Sequence, residues 1–124
     1  MNTSITNYWA LPGLKQTGKV KMIRRDYQVG EIIKVVCKFF NCDEAKIVTK
    51  CRKRPYVTYR QMVIYLSRMY TDLTLREIGM EISIKRDRPM DHTTVINAIQ
   101  VIRDLMEYDD VIRSQIEALE KMLE

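Results

Sequence analysis

No stretch of this 124-residue sequence is apolar over the length that a membrane-spanning helix needs. Residues 1–7 are mostly polar and lack the apolar centre of a secretory signal peptide. We therefore expect a cytoplasmic protein without a membrane partner.

The cysteines are few and odd in number, since Cys37, Cys42 and Cys51 form no C-x-x-C pair. Without an export signal, we expect them to be reduced thiols. A zinc site made of these three residues and His92 is the alternative. Its spacing matches no familiar ligand pattern, and Cys37 falls on the apolar side of a predicted helix. We expect no metal and no other cofactor.

Features that enzymes need are also missing. Residues 13–20 fit the pattern G-x-x-x-x-G-K, but Val20 stands where a phosphate-binding loop has the Ser or Thr that binds magnesium. Pro12 precedes this segment and no strand pattern does, so we interpret the match as chance. Asp91 lies beside His92, but no Ser or Cys has the context of an activated nucleophile. We expect no enzyme activity and no small-molecule substrate.

Positive charge is present and unevenly distributed. The chain has 21 Lys and Arg residues against 16 Asp and Glu residues. Its composition, 46% hydrophobic and 30% charged residues, is typical of a globular protein, and its length suits one domain. Residues 49–92 carry ten basic and five acidic side chains, whereas residues 93–124 carry three basic and seven acidic ones. One positive face suits a polyanion such as nucleic acid, and ordinary solubilising charge is the alternative.

Residues 1–25 have five basic side chains and no acidic one. These cations are Lys15, Lys19, Lys21, Arg24 and Arg25. We predict a basic N-terminal arm before a domain of residues 26–124. The arm either touches phosphates or is a disordered leader, and Tyr8, Trp9 and Leu11 can dock on the body or on a partner.

Apolar side chains recur at helical spacing from Asp26 to the end of the chain, and nothing alternates as a strand does. The predicted buried stripes are Val29, Ile32, Ile33, Val36 and Phe40; Ala45, Ile47 and Val48; Met62, Val63, Leu66, Met69 and Tyr70; Leu75, Ile78 and Ile82; Val95, Ala98, Ile99, Ile102 and Met106; and Ile112, Ile116, Leu119 and Leu123. We predict an all-α protein, a compact helical bundle with a helix-turn-helix in its second half.

Capping residues predict where these helices begin. The pattern T-x-x-Q/E occurs twice, at residues 58–61 and 74–77, and each occurrence is typical of a capping box. The other predicted N-caps are Asp43, Asp91 and either Asp109 or Asp110. Gly79 should permit close contact between two helices.

Residues 50–55, K-C-R-K-R-P, form a basic segment between two predicted helices. Pro55 disfavours helix at Arg54, so we expect an extended connector. Its cations, which include Arg52 and Lys53, suit a minor-groove or phosphate contact. The alternative is a solvated loop.

The string D-H-T-T-V at residues 91–95 opens the predicted second helix of the helix-turn-helix, where first-turn residues reach base edges. Asp91 can accept from cytosine N4, His92 can donate to guanine, and the Thr93 methyl can pack on a thymine methyl. Thr94 and the first backbone N–H groups can hold a phosphate, as can the Thr74 end of the preceding helix. The simpler alternative is an N-cap followed by ordinary first-turn residues.

Three strings together resemble the C-terminal DNA-binding domain of the DnaA family of bacterial replication initiators. They are R-Q-M at residues 60–62, L-R-E-I-G at residues 75–79 and D-H-T-T-V at residues 91–95. The resemblance covers about residues 27–123. It implies a Trp-repressor-like helical fold that binds double-stranded DNA at short sites called DnaA boxes, in replication initiation or its regulation.

The resemblance also implies the contact residues. Those expected to touch bases are Asp91, His92 and Thr93, with Arg52 in the minor groove, Arg68 near the major groove and Arg76 in place of a family proline. Those expected to hold or support the DNA backbone are Arg60, Gln61, Thr74 and Thr94, with Lys53 from the connector. Residues 83–90 replace a shorter family turn, and we expect Lys85, Arg86 and Arg88 there to add phosphate contacts.

The ATPase motor of DnaA has no counterpart in these residues, so we expect DNA binding without ATPase activity. An alternative is a protein-interaction or transcription-regulating factor. In that case the acidic last helix or residues 1–25 would bind a replication protein, or the chain would compete with DnaA. A bacterial cell, a phage or a mobile element is a plausible source.

Overall fold

The computed structural model describes residues 26–49, 51–83 and 88–124. These residues form six helices: α1 (Val29–Phe40), α2 (Glu44–Val48), α3 (Tyr56–Tyr70), α4 (Leu75–Ile82), α5 (His92–Tyr108) and α6 (Asp110–Leu123). The only β-type pairing among them is an isolated bridge between Asp26 and Thr71. The all-α prediction is confirmed. The predicted arm, the segment resembling a phosphate-binding loop, Lys85 and Arg86 lie outside the described residues.

Most helices begin where their capping residues predict. The carboxylates of Asp43, Asp91 and Asp109 accept the N–H groups of Ala45, Thr93 and Val111, respectively. Thr74 and Glu77 form the predicted capping box at the start of α4. Each side chain satisfies an N–H group that has no partner inside its helix, which favours that starting point.

α1 begins at Val29, the first residue of its predicted stripe, and a capping box between Gln28 and Glu31 closes its first turn. One helix start differs from the prediction. The prediction that Thr58 starts α3 is wrong, because that helix already begins at Tyr56 with Pro55 as its N-cap. A proline is tolerated there because the first N–H groups of a helix have no intrahelical partner.

α3 is the centre of the bundle and contacts each of the other five helices. Its residues from Met62 to Ser67 are all buried, so every side of this stretch is covered. The predicted stripes lie in the core with a few departures: Ala45 is exposed, and Val48, Phe40, Met69, Leu75, Met106 and Ile112 are half-buried at its edge. A rigid central helix therefore carries the residues of the R-Q-M string.

Helices α4 and α5 form the helix-turn-helix, and Gly79 sets how closely they approach. A Cβ added at Gly79 would lie 2.6 Å from the Met90 carbonyl oxygen and 3.2 Å from Cγ2 of Val95. The predicted close contact is confirmed. The Ser83 hydroxyl donates to the Gly79 carbonyl and accepts the Met90 N–H at 2.9 Å, so it closes the base of the turn.

Among the described helices, none has both the length and the apolar character that crossing a bilayer requires.

Candidate nucleic-acid interface

The first turn of α5 presents the side chains that were predicted to read bases. Asp91, His92, Thr93 and Thr94 are all exposed. His92 Nδ1 lies 3.1 Å from Asp91 Oδ1, and their side chains are 63% and 68% exposed. With Nδ1 facing Asp91, Nε2 is the ring nitrogen that can reach a base edge. An imidazole nitrogen can donate or accept, so guanine and cytosine are both possible partners.

Three backbone N–H groups of this turn, those of Thr93, Thr94 and Val95, are bonded within the protein. Thr93 N–H donates to Asp91 Oδ1 at 3.2 Å, and the N–H groups of Thr94 and Val95 donate to the Asp91 carbonyl at 2.9 and 3.2 Å. These bonds leave the positive end of the helix dipole and the exposed hydroxyls available to an anion. The expectation that this turn holds a phosphate stays a prediction.

Arg60 lines a groove between α3 and α5 and is held there by the protein backbone. Its side chain is only 8% exposed. Nε donates to the Ile47 carbonyl at 2.7 Å, and Nη2 lies 2.9 Å from the carbonyl oxygens of Lys46, Thr49 and Cys51. The carbonyls at the end of a helix lack intrahelical partners, and here one guanidinium satisfies several of them. Arg60 thus fixes the end of α2 and the connector, and its predicted role of holding or supporting the DNA backbone stays a prediction.

A groove between α3 and α5 brings together residues from three segments. Arg52 from the connector, Arg60 and Gln61 from α3 and Thr94 from α5 line it, and Val57, Ile64, Met90 and Ala98 supply its apolar lining. Cationic, amide and hydroxyl side chains around an apolar floor suit a strand of nucleic acid, because phosphate and sugar contacts use these side chains.

Asn97 lines the same groove, is exposed and was not predicted. It follows Thr94 by three residues on α5, and residues at that spacing are neighbours on a helix surface. Its spacing from Thr94 was the signal that could have identified it. Its amide adds a donor and an acceptor that can bond a phosphate or an adenine edge.

The start of α4 offers a second exposed contact point. The Thr74 hydroxyl accepts the Glu77 N–H at 3.1 Å within the capping box, so its own O–H can still donate outward. Arg76 is exposed in the first turn. A cation there opposes the helix dipole by about 0.3–1 kcal/mol, so an anionic partner would relieve an unfavourable placement.

The remaining predicted cations occupy different surroundings. Lys53 and Arg88 are exposed, on the connector and just before α5. Arg68 is half-buried in the last turn of α3, seven residues beyond Gln61 or roughly 10 Å along the helix axis. The structure therefore does not bring Arg68 into the groove that Gln61 lines.

The three cysteines and His92, the alternative zinc ligands, are not brought together as a set in the part of the chain that the structure describes. Within residues 26–49, 51–83 and 88–124, no group of three or more His, Cys, Asp or Glu side chains is placed to hold a metal ion.

The family model described as the bacterial dnaA protein helix-turn-helix matches residues 29–102, more than half of the chain. This chain belongs to that family. The matched residues run from the start of α1 into α5, so they include every described residue of the groove and of both helix starts.

Curated relatives agree with the family model. Over 95 residues, the chain is 36% identical to the chromosomal replication initiator protein DnaA of Bacteroides thetaiotaomicron and 38% identical to that of Bacteroides fragilis. Each alignment covers 77% of this chain and 19% of the relative. The DnaA of Brucella abortus is 32% identical over 123 residues, which cover 98% of this chain and 23% of the relative. The chain thus spans about a fifth of the length of these relatives.

Proposed function

We propose that this protein binds double-stranded DNA at specific sequences related to DnaA boxes, in replication initiation or its regulation, without hydrolysing ATP. The observation that carries the proposal is the exposed first turn of α5, the second helix of a helix-turn-helix, beside the groove of Arg52, Gln61 and Thr94. Membership of the DnaA helix-turn-helix family supports it.

In this proposal, the start of α5 enters the major groove. Asp91, His92 and Thr93 contact bases there, and Arg76 at the start of α4 contacts bases at the edge of the same site. Arg52 reaches the adjacent minor groove from the connector. Arg68 completes the base contacts only if its half-buried side chain turns outward.

A second group of residues holds the DNA backbone. Its members are Gln61, Asn97, Thr94, Thr74, Lys53 and Arg88, together with Lys85 and Arg86 from residues 83–90. Such contacts fix register and orientation without reading sequence. We assign Arg60 to neither group, because its guanidinium binds backbone carbonyls of α2 and the connector.

Selection of bound duplexes from a random pool tests the proposal. We expect one enriched motif related to a DnaA box, and His92→Ala should relax the preference at one or two of its positions. Loss of a good base contact costs about 1–3 kcal/mol of discrimination. Asn97→Ala should weaken every selected sequence about equally if Asn97 holds the backbone. Ser114→Ala, on the exposed surface of α6, is the control. A pool without an enriched sequence would refute specific DNA reading.

A second candidate function is binding to a replication protein, and the junction of α5 and α6 favours it. Tyr108 is 85% exposed and Val111 63% exposed, beside the acidic side chains of Glu107 and Asp110. α5 has 17 residues, so its two ends lie roughly 25 Å apart and a partner here need not displace DNA.

Sedimentation with a purified DnaA initiator separates the two candidates. A complex that Tyr108→Ser and Val111→Ser both disrupt, with DNA affinity unchanged, would support the partner function. If the chain and the initiator sediment independently, the initiator is not its partner.

A further inference from the structure

Cys37 and Cys42 lie side by side where α1 ends. Asn41 adopts the left-handed conformation with φ of 54°, which ends the helix and turns the chain back. Cys42 N–H then donates to the Cys37 carbonyl at 3.0 Å, and the two sulfur atoms are 3.3 Å apart. The backbone therefore places two thiols in contact across a turn of only four intervening residues.

The surroundings of this turn hold it in place. The Asp43 N–H donates to the Tyr56 hydroxyl at 3.0 Å, and the ring of Phe40 stacks on that of Tyr59 at 4.3 Å between centroids. Both tyrosines belong to the first turn of α3. The two thiols thus belong to the packed junction between α1 and α3 rather than to a free loop.

We propose that Cys37 and Cys42 form a dithiol site that a low-molecular-weight disulfide such as oxidised glutathione converts to an intramolecular disulfide. The sulfur atoms must approach from 3.3 Å to the bond length of about 2.05 Å. Because the thiols are already in contact, side-chain rotation can supply this movement without unfolding α1.

The two thiols have different parts in the reaction. Cys42 is half-buried, whereas Cys37 is only 6% exposed. Burial, together with the neighbouring Cys42, Glu44 and Asp43, raises the pKa of the Cys37 thiol to about 12. Cys37 therefore stays protonated near neutral pH, and the oxidant meets Cys42 first.

The chemistry balances in two exchange steps. The Cys42 thiolate attacks one sulfur of oxidised glutathione, forms a mixed disulfide and releases one glutathione thiolate, which takes up a proton. The Cys37 thiol then loses its proton to solvent, attacks Cys42 Sγ and releases the second glutathione. Two cysteine thiols are oxidised, and one molecule of oxidised glutathione is reduced to two of glutathione.

Tryptic cleavage separates the three cysteines, which makes the test direct. Cys37 falls in the peptide VVCK, Cys42 in FFNCDEAK and Cys51 in CR. The folded full chain is incubated with oxidised glutathione, quenched with acid, alkylated and digested. We expect VVCK joined to FFNCDEAK, with a mass lower by two hydrogen atoms than the sum of the reduced peptides. Dithiothreitol should restore both thiols.

Two variants control the experiment. Cys51→Ser should give the same cross-linked peptide, whereas Cys42→Ser should give none and leave Cys37 unmodified. The proposal fails if Cys51 takes up glutathione while Cys37 and Cys42 stay reduced, or if the cross-link joins CR to either peptide. It also fails if the cross-link forms only in urea.

A melting curve tests whether the disulfide fits the native fold. A disulfide with little strain restricts the unfolded chain, so the oxidised protein should melt a few degrees above the reduced one. A lower Tm after oxidation would show that the bond needs a distorted structure, and it would overturn the inference.

Discussion

A single arginine connects the central helix to the segment that carries Arg52. The Arg60 guanidinium binds carbonyls of Lys46, Ile47, Thr49 and Cys51, and these bonds hold the connector against the start of α3. A carbonyl group that is buried without its charged donor destabilises the fold, because no hydrogen bond then replaces the one it made to water in the unfolded chain.

Arg60→Ala should therefore destabilise the fold by about 2–4 kcal/mol, measured by urea unfolding. Arg60→Lys keeps the charge without the planar set of donors and should recover only part of this loss. If Arg60 only positions the connector, removing its charge should leave the slope of log DNA affinity against log salt unchanged in Arg60→Ala, measured where that protein is still folded. A slope of smaller magnitude by about one unit would instead identify a direct phosphate contact.

Tyr65 predicts a loss of stability in alkali. Burial, reinforced by Glu120 and opposed by Arg103, raises the pKa of the Tyr65 hydroxyl from 10.0 to about 12. Burial raises the pKa of Tyr70 as well. Because the unfolded chain loses the Tyr65 proton first, stability is unaffected below pH 10 and falls as the pH rises toward 12.

For Tyr65 this decrease is on the order of 2–3 kcal/mol between those limits. Urea unfolding at pH 8 and pH 11 should show about half of it, since pH 11 lies midway between those limits. Tyr65→Phe should reduce the decrease, whereas Tyr108→Phe, at a ring that is 85% exposed, should not. Equal pH dependence of both variants and the unsubstituted chain would contradict the assignment.

At the scale of elements, the close approach of α4 to α5 at Gly79 fixes the position of the first turn of α5. Gly79→Ala should cost about 1–3 kcal/mol, because the new Cβ would lie 2.6 Å from the Met90 carbonyl oxygen. Met90 directly precedes Asp91, so DNA affinity should fall as well.

Gly30→Ala is a matched control in α1, where a Cβ meets nothing within 4 Å. This change should stabilise the protein by about 0.5–1 kcal/mol, since alanine favours helix more than glycine does. Thermal unfolding and DNA titration of both variants check the pair. A stabilised Gly79→Ala variant with full DNA affinity would mean that α4 and α5 can separate without consequence.

The helices could be predicted because their signals are local. A carboxylate such as that of Asp43 or Asp109 satisfies N–H groups two or three residues away, so the sequence alone places the helix start. Thr58 shows the limit of this reasoning. Pro55 is already the N-cap of α3, which begins at Tyr56, so Thr58 lies inside the helix and does not cap it.

The site was harder to predict because it depends on tertiary placement. The sequence marks Arg60 as a cation next to Gln61 but does not reveal that its partners are carbonyls nine to fourteen residues earlier. Asn97 enters the candidate site only because α5 packs beside α3 and Arg52. The start of α5 was predictable because it combines a local cap with a distinctive string of side chains.

At the scale of the whole molecule, charge is segregated along the chain. Residues 49–92 carry ten basic and five acidic side chains, and residues 93–124 carry three basic and seven acidic ones. The cations of the candidate nucleic-acid interface lie within residues 49–92, whereas α6 lies within residues 93–124. DNA binding should therefore depend on where a charge lies and not only on the net charge of +5.

Lys53→Ala and Lys121→Ala test this, because each removes one exposed lysine charge, on the connector and on α6 respectively. Fluorescence anisotropy with a selected duplex, from about 50 to 200 mM salt, gives the slope of log affinity against log salt. Each phosphate contact releases counterions and adds about 0.9 to that slope, so Lys53→Ala should lower its magnitude by nearly one unit. Lys121→Ala should leave the slope unchanged. Equal slopes for the two variants would mean that DNA responds only to net charge, and the connector would then lose its place in the proposed interface.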